Sequence, residues 1–209
     1  MLKTLSTASV IALMSSGAFA ATISTLADES VSITPFGLPN TAAYGQTFTL
    51  DAAATLNSLT FLINDGGSAI SYDLHIAAWN GSMVSGASLF TSSGSTAGVA
   101  DFAAVSSSLG DTLAAAGQYV AFFQATSTGS AQWRGTDSAG TYDGGEFVFQ
   151  NNGGNVSQWT TVNWNAFGSL DLAFEIVTDS VAAVPLPASL PLLLASFGGL
   201  AAMRRRKNA

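Results

Sequence analysis

The chain of 209 residues has no cysteine, a single histidine and only six lysines and arginines. The lack of thiols excludes disulfide staples, thiol nucleophiles, thiolate metal sites and dithiol redox chemistry. Met83 is the one thioether away from the two ends. A zinc centre normally wants two or three imidazoles or thiolates, and only His75 is present. Asp73 lies two residues before it, on the same face of a strand, within reach of a hydrogen bond. A serine triad needs nucleophile, base and acid to converge. Here the serines crowd into Thr91–Ser95 and Ser106–Ser108, and there is no Gly-x-Ser-x-Gly elbow. A phosphate-binding loop and a Gly-x-Gly-x-x-Gly stretch are missing too. His75 therefore reads as a half-exposed strand residue, and the chain reads as non-enzymatic with no resident cofactor.

Positive charge is scarce where it matters most. Lys3, Arg204, Arg205, Arg206 and Lys207 sit at the ends, which leaves Arg134 alone in the middle. All 13 carboxylates fall between Asp28 and Asp179. One cation against 13 acids gives the central region a formal charge of −12. Such a surface repels nucleic acid and anionic membranes and favours solubility and divalent cations. The central length, about 160 residues, is enough for one domain with a substantial core and no disulfides.

Each end reads as a targeting segment. Met1-Leu2-Lys3 is a short cationic start, and Leu5 to Ala18 is largely apolar. Ala18-Phe19-Ala20 then fits the small-x-small rule for signal peptidase, with the cut before Ala21. At the other end stand Val184, Pro185, Leu186, Pro187 and Ala188. An apolar run from Ser189 to Met203 follows, and then Arg204, Arg205, Arg206 and Lys207. Ala188 to Met203 would span about 24 Å as a helix, slightly short of a bilayer core of about 30 Å. Leu186 and Pro187 can extend it. The four cations hold the C-terminus in the cytoplasm by the positive-inside bias. The expected organisation is a signal peptide over 1–20, a folded domain over 21–183 and a sorting signal over 184–209. The expected partners are the Sec translocon, signal peptidase and, before processing, the membrane.

Val184-Pro185-Leu186-Pro187-Ala188, the apolar run and Arg204-Arg205-Arg206 together resemble the VPLPA variant of the PEP-CTERM sorting signals of Gram-negative bacteria. The resemblance covers about an eighth of the chain. It implies cleavage near Pro187–Ala188 by an exosortase, a membrane-embedded cysteine protease, and delivery to the cell surface or extracellular polysaccharide. It implies nothing about the chemistry of the delivered domain.

The central region reads as all-β. Strands are expected over Gln46–Leu50, Leu56–Ile63, Ile70–Trp79, Ser88–Ser92, Val99–Val105, Gln118–Thr126, Glu146–Gln150, Trp159–Val162 and Leu170–Val177. Phe48 and Leu50 alternate with Thr47 and Thr49. Leu170, Leu172, Phe174 and Ile176 alternate with Asp171, Ala173 and Glu175, which predicts one buried and one wet face. Tyr119–Phe123 and Leu59–Ile63 are continuous, as in strands covered on both sides. Asn64–Gly67, Asn80-Gly81, Asp143–Gly145 and Asn151–Asn155 read as turns. Thr112–Ala116 offers at most one helical turn, and Ser180–Val184 reads as a linker. About nine strands point to a two-sheet antiparallel sandwich, jelly-roll-like. The order Gln46–Thr49, Leu56–Ile63, Tyr72–Trp79, Gly86–Ser92, Gln118–Phe123 and Asp171–Phe174 loosely resembles carbohydrate-binding modules, which implies binding or structure rather than catalysis.

Two groups of side chains are candidate sites. Asp137, Asp143 and Glu146 share a Gly-rich stretch with Asn151 and Asn152 nearby; calcium takes six to eight such oxygens, and acidic turns equally keep a surface soluble. Trp133, Tyr142, Trp159 and Trp164 are interleaved with Gln132, Arg134, Asn151, Gln158, Asn163 and Asn165. Stacking faces beside amides suit a sugar, and the same tryptophans suit a core. Arg134 could clamp a carboxylate sugar or pair with an acid. The expectation is an exported surface or matrix protein, with a carbohydrate-binding protein of the exopolysaccharide, calcium-dependent or not, as the alternative. A hydrolase would need paired carboxylates across a cleft, and Asp143 with Glu146 is the nearest pair.

Overall fold

Alternating apolar and small polar side chains, broken by glycine turns, fold this sequence into strands throughout. The computed structural model describes residues 20–137, 142–168 and 170–181. Its strands are β1 (Ala20–Ser24), β2 (Val31–Phe36), β3 (Ala43–Leu50), β4 (Ala54–Asn64), β5 (Ser71–Trp79), β6 (Val84–Ser95), β7 (Ala103–Ala114), β8 (Gly117–Ala125), β9 (Ala131–Gly135), β10 (Phe147–Gln150), β11 (Asn165–Ala166) and β12 (Phe174–Ser180). One sheet runs β1-β12-β4-β9-β2, with β7 also paired to β4; the other runs β11-β10-β3-β8-β5-β6. Every pairing between named strands is antiparallel.

The two sheets bury their facing sides against each other. Phe61 of the first sheet meets Phe123 of the second at 5.3 Å, and Trp133 meets Tyr44 at 5.6 Å. Phe36, Phe48, Leu56, Leu74, Phe147 and Phe174 fill the same core. Burying each such side chain stabilises the fold by roughly 1.5–3 kcal/mol relative to exposure. The second sheet also carries a smaller apolar cluster on its outer face: Trp79, Val84, Val120, Phe122, Val148 and Trp164, with Trp159 packed against it. Both faces of β3 and β8 are therefore covered, which explains their continuous burial.

Several expectations need correction. Asp171 and Ala173, expected on a wet face, are buried, and β12 begins only at Phe174. Residues 170–173 form a crossing segment, where Leu172 bridges to Gly135. Thr47 is buried because the outer face of β3 is covered. Trp159–Val162 is not a strand: Val156–Thr160 is a 3₁₀ turn, with Asn155 capping the N–H of Ser157. Thr112–Ala114 is the end of β7 rather than a helical turn, and the strand expected from Val99 starts at Ala103. The strands β1, β2, β9 and β11 lie outside the stretches whose pattern predicts a strand.

Among the described residues no helix is long and apolar enough to cross a membrane. Ala18, the motif Val184–Ala188, the apolar run and Arg204–Lys207 lie outside the described residues. Ala20 is the first residue of β1.

Candidate functional site

The outer face of the second sheet is half covered by the segment after β10. Gln124 of β8 organises that cover: its Oε1 accepts from Nε1 of Trp159 at 3.0 Å and from Nδ2 of Asn152 at 2.8 Å. Gln150 Nε2 donates to the carbonyls of Gln158 and Val162, and Trp164 Nε1 donates to the carbonyl of Trp159. Gln124 of β8 thus satisfies two side chains of the loop and Gln150 of β10 two of its carbonyls, as buried polar groups require. Trp164 packs edge-on to Trp79 and Phe122. Gly45 lies under Phe122, where a Cβ would come within 2.7 Å of the Phe122 Cβ.

Beyond the edge of this cover lie Asp73 and His75 of β5. Strand alternation turns Tyr72, Leu74 and Ile76 into the core and leaves Asp73 and His75 half-buried on the outer face. The His75 ring stacks on Phe122 at 4.9 Å and meets Trp159 at 4.6 Å. Its Nδ1 shares a 3.1 Å hydrogen bond with Ser88 Oγ. Desolvation holds the imidazole below its usual pKa, and the Asp73 charge works against that shift. Asp73 Oδ1 accepts from Ser93 Oγ at 2.6 Å. Asp73, His75, Thr91, Ser92 and Ser93 line an open depression of about 320 Å³. A second, of about 360 Å³, lies between β6 and β7 and is walled by Ser93, Ser95, Ser106 and Ser107 over Tyr72.

No catalytic triad arises here. Ser88 touches His75, but no hydrogen bond joins His75 to Asp73, whose bonded oxygen serves Ser93.

The aromatic candidates are not brought together. Trp133 is 0% exposed at the centre of the core, in contact with Phe36, Tyr44, Phe61 and Phe123. Arg134, next to it, projects the other way: its Nε lies 2.6 Å from Glu29 Oε2 and its guanidinium 4.1 Å from the Phe102 ring. It pairs with an acid of its own chain. Trp159 and Trp164 lie on the far side of the second sheet, so no groove contains all four candidates.

Asp137 and Asp143 are exposed and Glu146 is half-buried. Among the described residues, no three histidine, aspartate or glutamate side chains gather where they could hold a metal ion. The unexpected carboxylate is Asp171, 1% exposed. Burial raises its pKa to about 6, opposed by hydrogen bonds from Gln46 and the Tyr142 N–H and reinforced by the charges of Glu146 and Asp143. Its strict alternation with Leu170 and Leu172 concealed it, since only the crossing segment turns that face inward.

No family model matches the chain, and no curated protein matches it. Among solved structures it is similar to the clostridial cysteine protease Cwp84 after propeptide cleavage, with a TM-score of 0.46 and 11% identity over 74% of this chain and 41% of that one. It is also similar to the cysteine protease and lectin-like domains of Cwp84, a surface layer associated protein of Clostridium difficile. There the TM-score is 0.42 and the identity 12%, over 67% of this chain and 32% of that one. The chain spans less than half the length of either structure, and at these scores the likeness assigns it neither family nor activity.

Proposed function

We propose that this chain is an exported, non-enzymatic β-sandwich protein of the cell surface or extracellular matrix, jelly-roll-like in topology, trimmed at both ends and handled by an exosortase-type protease. The observation that carries the reading is the pairing of its first and last strands. β1 opens at Ala20, beside the cut expected before Ala21, and β12 closes at Ser180, four residues before Val184. Ala20 faces Asp179 in the ladder. Cuts before Ala21 and near Pro187–Ala188 would therefore spare nearly the whole β1–β12 ladder, and with it the core. The jelly-roll reading is supported by the chain's repeated passage between the sheets, at β2–β3, β3–β4, β4–β5, β6–β7, β7–β8, β8–β9, β9–β10 and β11–β12. Until the second cut, the arginine-stopped apolar run would anchor the protein in the membrane.

Mass spectrometry of the protein recovered from cells and medium tests this. The expected species begins at Ala21 and ends near Pro187–Ala188. An intact chain, found in the cytosol with both ends still attached, overturns the proposal.

A second reading is a carbohydrate-binding module-like protein associated with exopolysaccharide. One observation favours it: the open, hydroxyl-lined depression at Asp73 and His75 beside Trp159.

A further inference from the structure

We infer that the β5–β6 face beside Trp159 binds a neutral polysaccharide, with Asp73 accepting and His75 donating hydrogen bonds to sugar hydroxyls. This rests on the carbohydrate-binding reading and gives it a place and a ligand class. Asp73 and His75 are two residues apart on one strand face, so their backbones are separated by about 6.6 Å. Across the ladder Asp73 faces Ser93 and His75 faces Thr91. Each group keeps a polar atom unused within the fold. Asp73 Oδ1 accepts from Ser93 and His75 Nδ1 meets Ser88, while Asp73 Oδ2 and His75 Nε2 have no hydrogen-bond partner among the described residues. Asp73 Oδ2 as acceptor, His75 Nε2 as donor in the tautomer whose Nδ1 accepts from Ser88, and the hydroxyls of Thr91 and Ser93 on the same strand face make a surface matched to polyols rather than to an apolar ligand. The stack of His75 on Phe122 and its tilted contact with Trp159 fix the imidazole, so it loses little freedom on binding.

Two features narrow the ligand. The depression is open and polar, whereas small-molecule pockets enclose most of their ligand in apolar walls. A chain lying across the strands fits it better. The formal charge of −12 over residues 21–183 opposes acidic polymers, and a depression with Asp73 as its one lining carboxylate is not built for a cationic one, which favours neutral polymers.

Affinity electrophoresis of the protein recovered from cells or medium tests the inference, in native gels containing dextran, mannan or alginate. At least one neutral polymer is expected to retard the protein, and alginate is not. Asp73→Asn and His75→Gln should each weaken retardation at least tenfold. Ser106→Ala, in the other depression, should leave it unchanged. Where a variant melts early, Thr91→Val replaces it and carries the same expectation. Retardation that survives all the site variants overturns the site while sparing the carbohydrate-binding reading. No retardation by either neutral polymer overturns both, and leaves export, read from the chain ends, untouched.

Discussion

Gln46 donates a 2.7 Å hydrogen bond from its Nε2 to Oδ1 of Asp171, from the second sheet to the segment that enters the first. The Oε1 of the same side chain accepts from the Leu172 N–H, also at 2.7 Å. The other carboxylate oxygen of Asp171 accepts from the Tyr142 N–H at 3.3 Å. One buried carboxylate thus joins β3, the approach to β12 and the loop before β10.

This carboxylate should make the protein more stable in mild acid. Asp171 titrates at about 6 in the fold against 3.8 ordinarily, so between those values the folded state keeps a proton that the unfolded chain has released. Its contribution is fully present below pH 3.8 and is lost as the pH rises through 6, at most about 3 kcal/mol. Urea midpoints at pH 4.5 and 7.5 should fall with rising pH in the parent and change less in Asp171→Asn. Equal slopes in the two proteins would refute the assignment.

Asp65 behaves in the opposite sense. Burial pushes its carboxyl up, but hydrogen bonds from Thr96, Gly98 and Gly67 outweigh that and hold it below the ordinary value. Its stabilisation is present at neutral pH and disappears as the pH falls through that lowered value. Asp65→Ala leaves the Thr96 hydroxyl and the Gly98 N–H without their acceptor. A loss of about 3 kcal/mol is expected from chemical denaturation at pH 7. A loss under about 1 kcal/mol would show that water replaces the carboxylate.

Trp133 separates size from hydrogen bonding. Its buried Nε1 has no hydrogen-bond partner among the described residues. Trp133→Phe therefore forfeits volume alone and should cost about 1–2 kcal/mol, against roughly 3–5 kcal/mol for Trp133→Ala. Equal costs for the two variants, by thermal melting, would contradict this.

Gln124→Leu should loosen the cover of the outer face without unfolding the sandwich. Two donors, Trp159 Nε1 and Asn152 Nδ2, lose their acceptor. Each such loss is worth about 1 kcal/mol. Hydrogen exchange should accelerate over 151–164 and stay slow in β4 and β8; uniform acceleration would mean global destabilisation instead.

Much of this architecture was legible residue by residue. Leu59–Ile63 and Tyr119–Phe123 read as strands covered on both sides; both strands are central, but only β8 is buried continuously, while β4 buries alternate residues such as Leu59, Phe61 and Ile63. Asn64–Gly67 turns between β4 and β5 as its residue types require. By contrast, β1 is a short Ala-Ala-Thr-Ile-Ser stretch and β2 is interrupted by Pro35, and they become strands by pairing with β12 and β9. Trp159 follows a β-prone pattern yet lies in a 3₁₀ turn, because Asn155 caps it and Gln124 holds the indole.

The sequence by itself determined the all-β class, the absence of thiol chemistry and the acidic surface, because composition and period-two patterning are local properties of the chain. Which aromatic faces which sheet was decided only by tertiary structure. Trp133 went to the core, Trp159 and Trp164 to the outer face, and Asp171 into a buried seam. Alternation tells which residues share a face. It does not tell whether that face meets water, another sheet or a returning loop, since the covering segment comes from far along the chain.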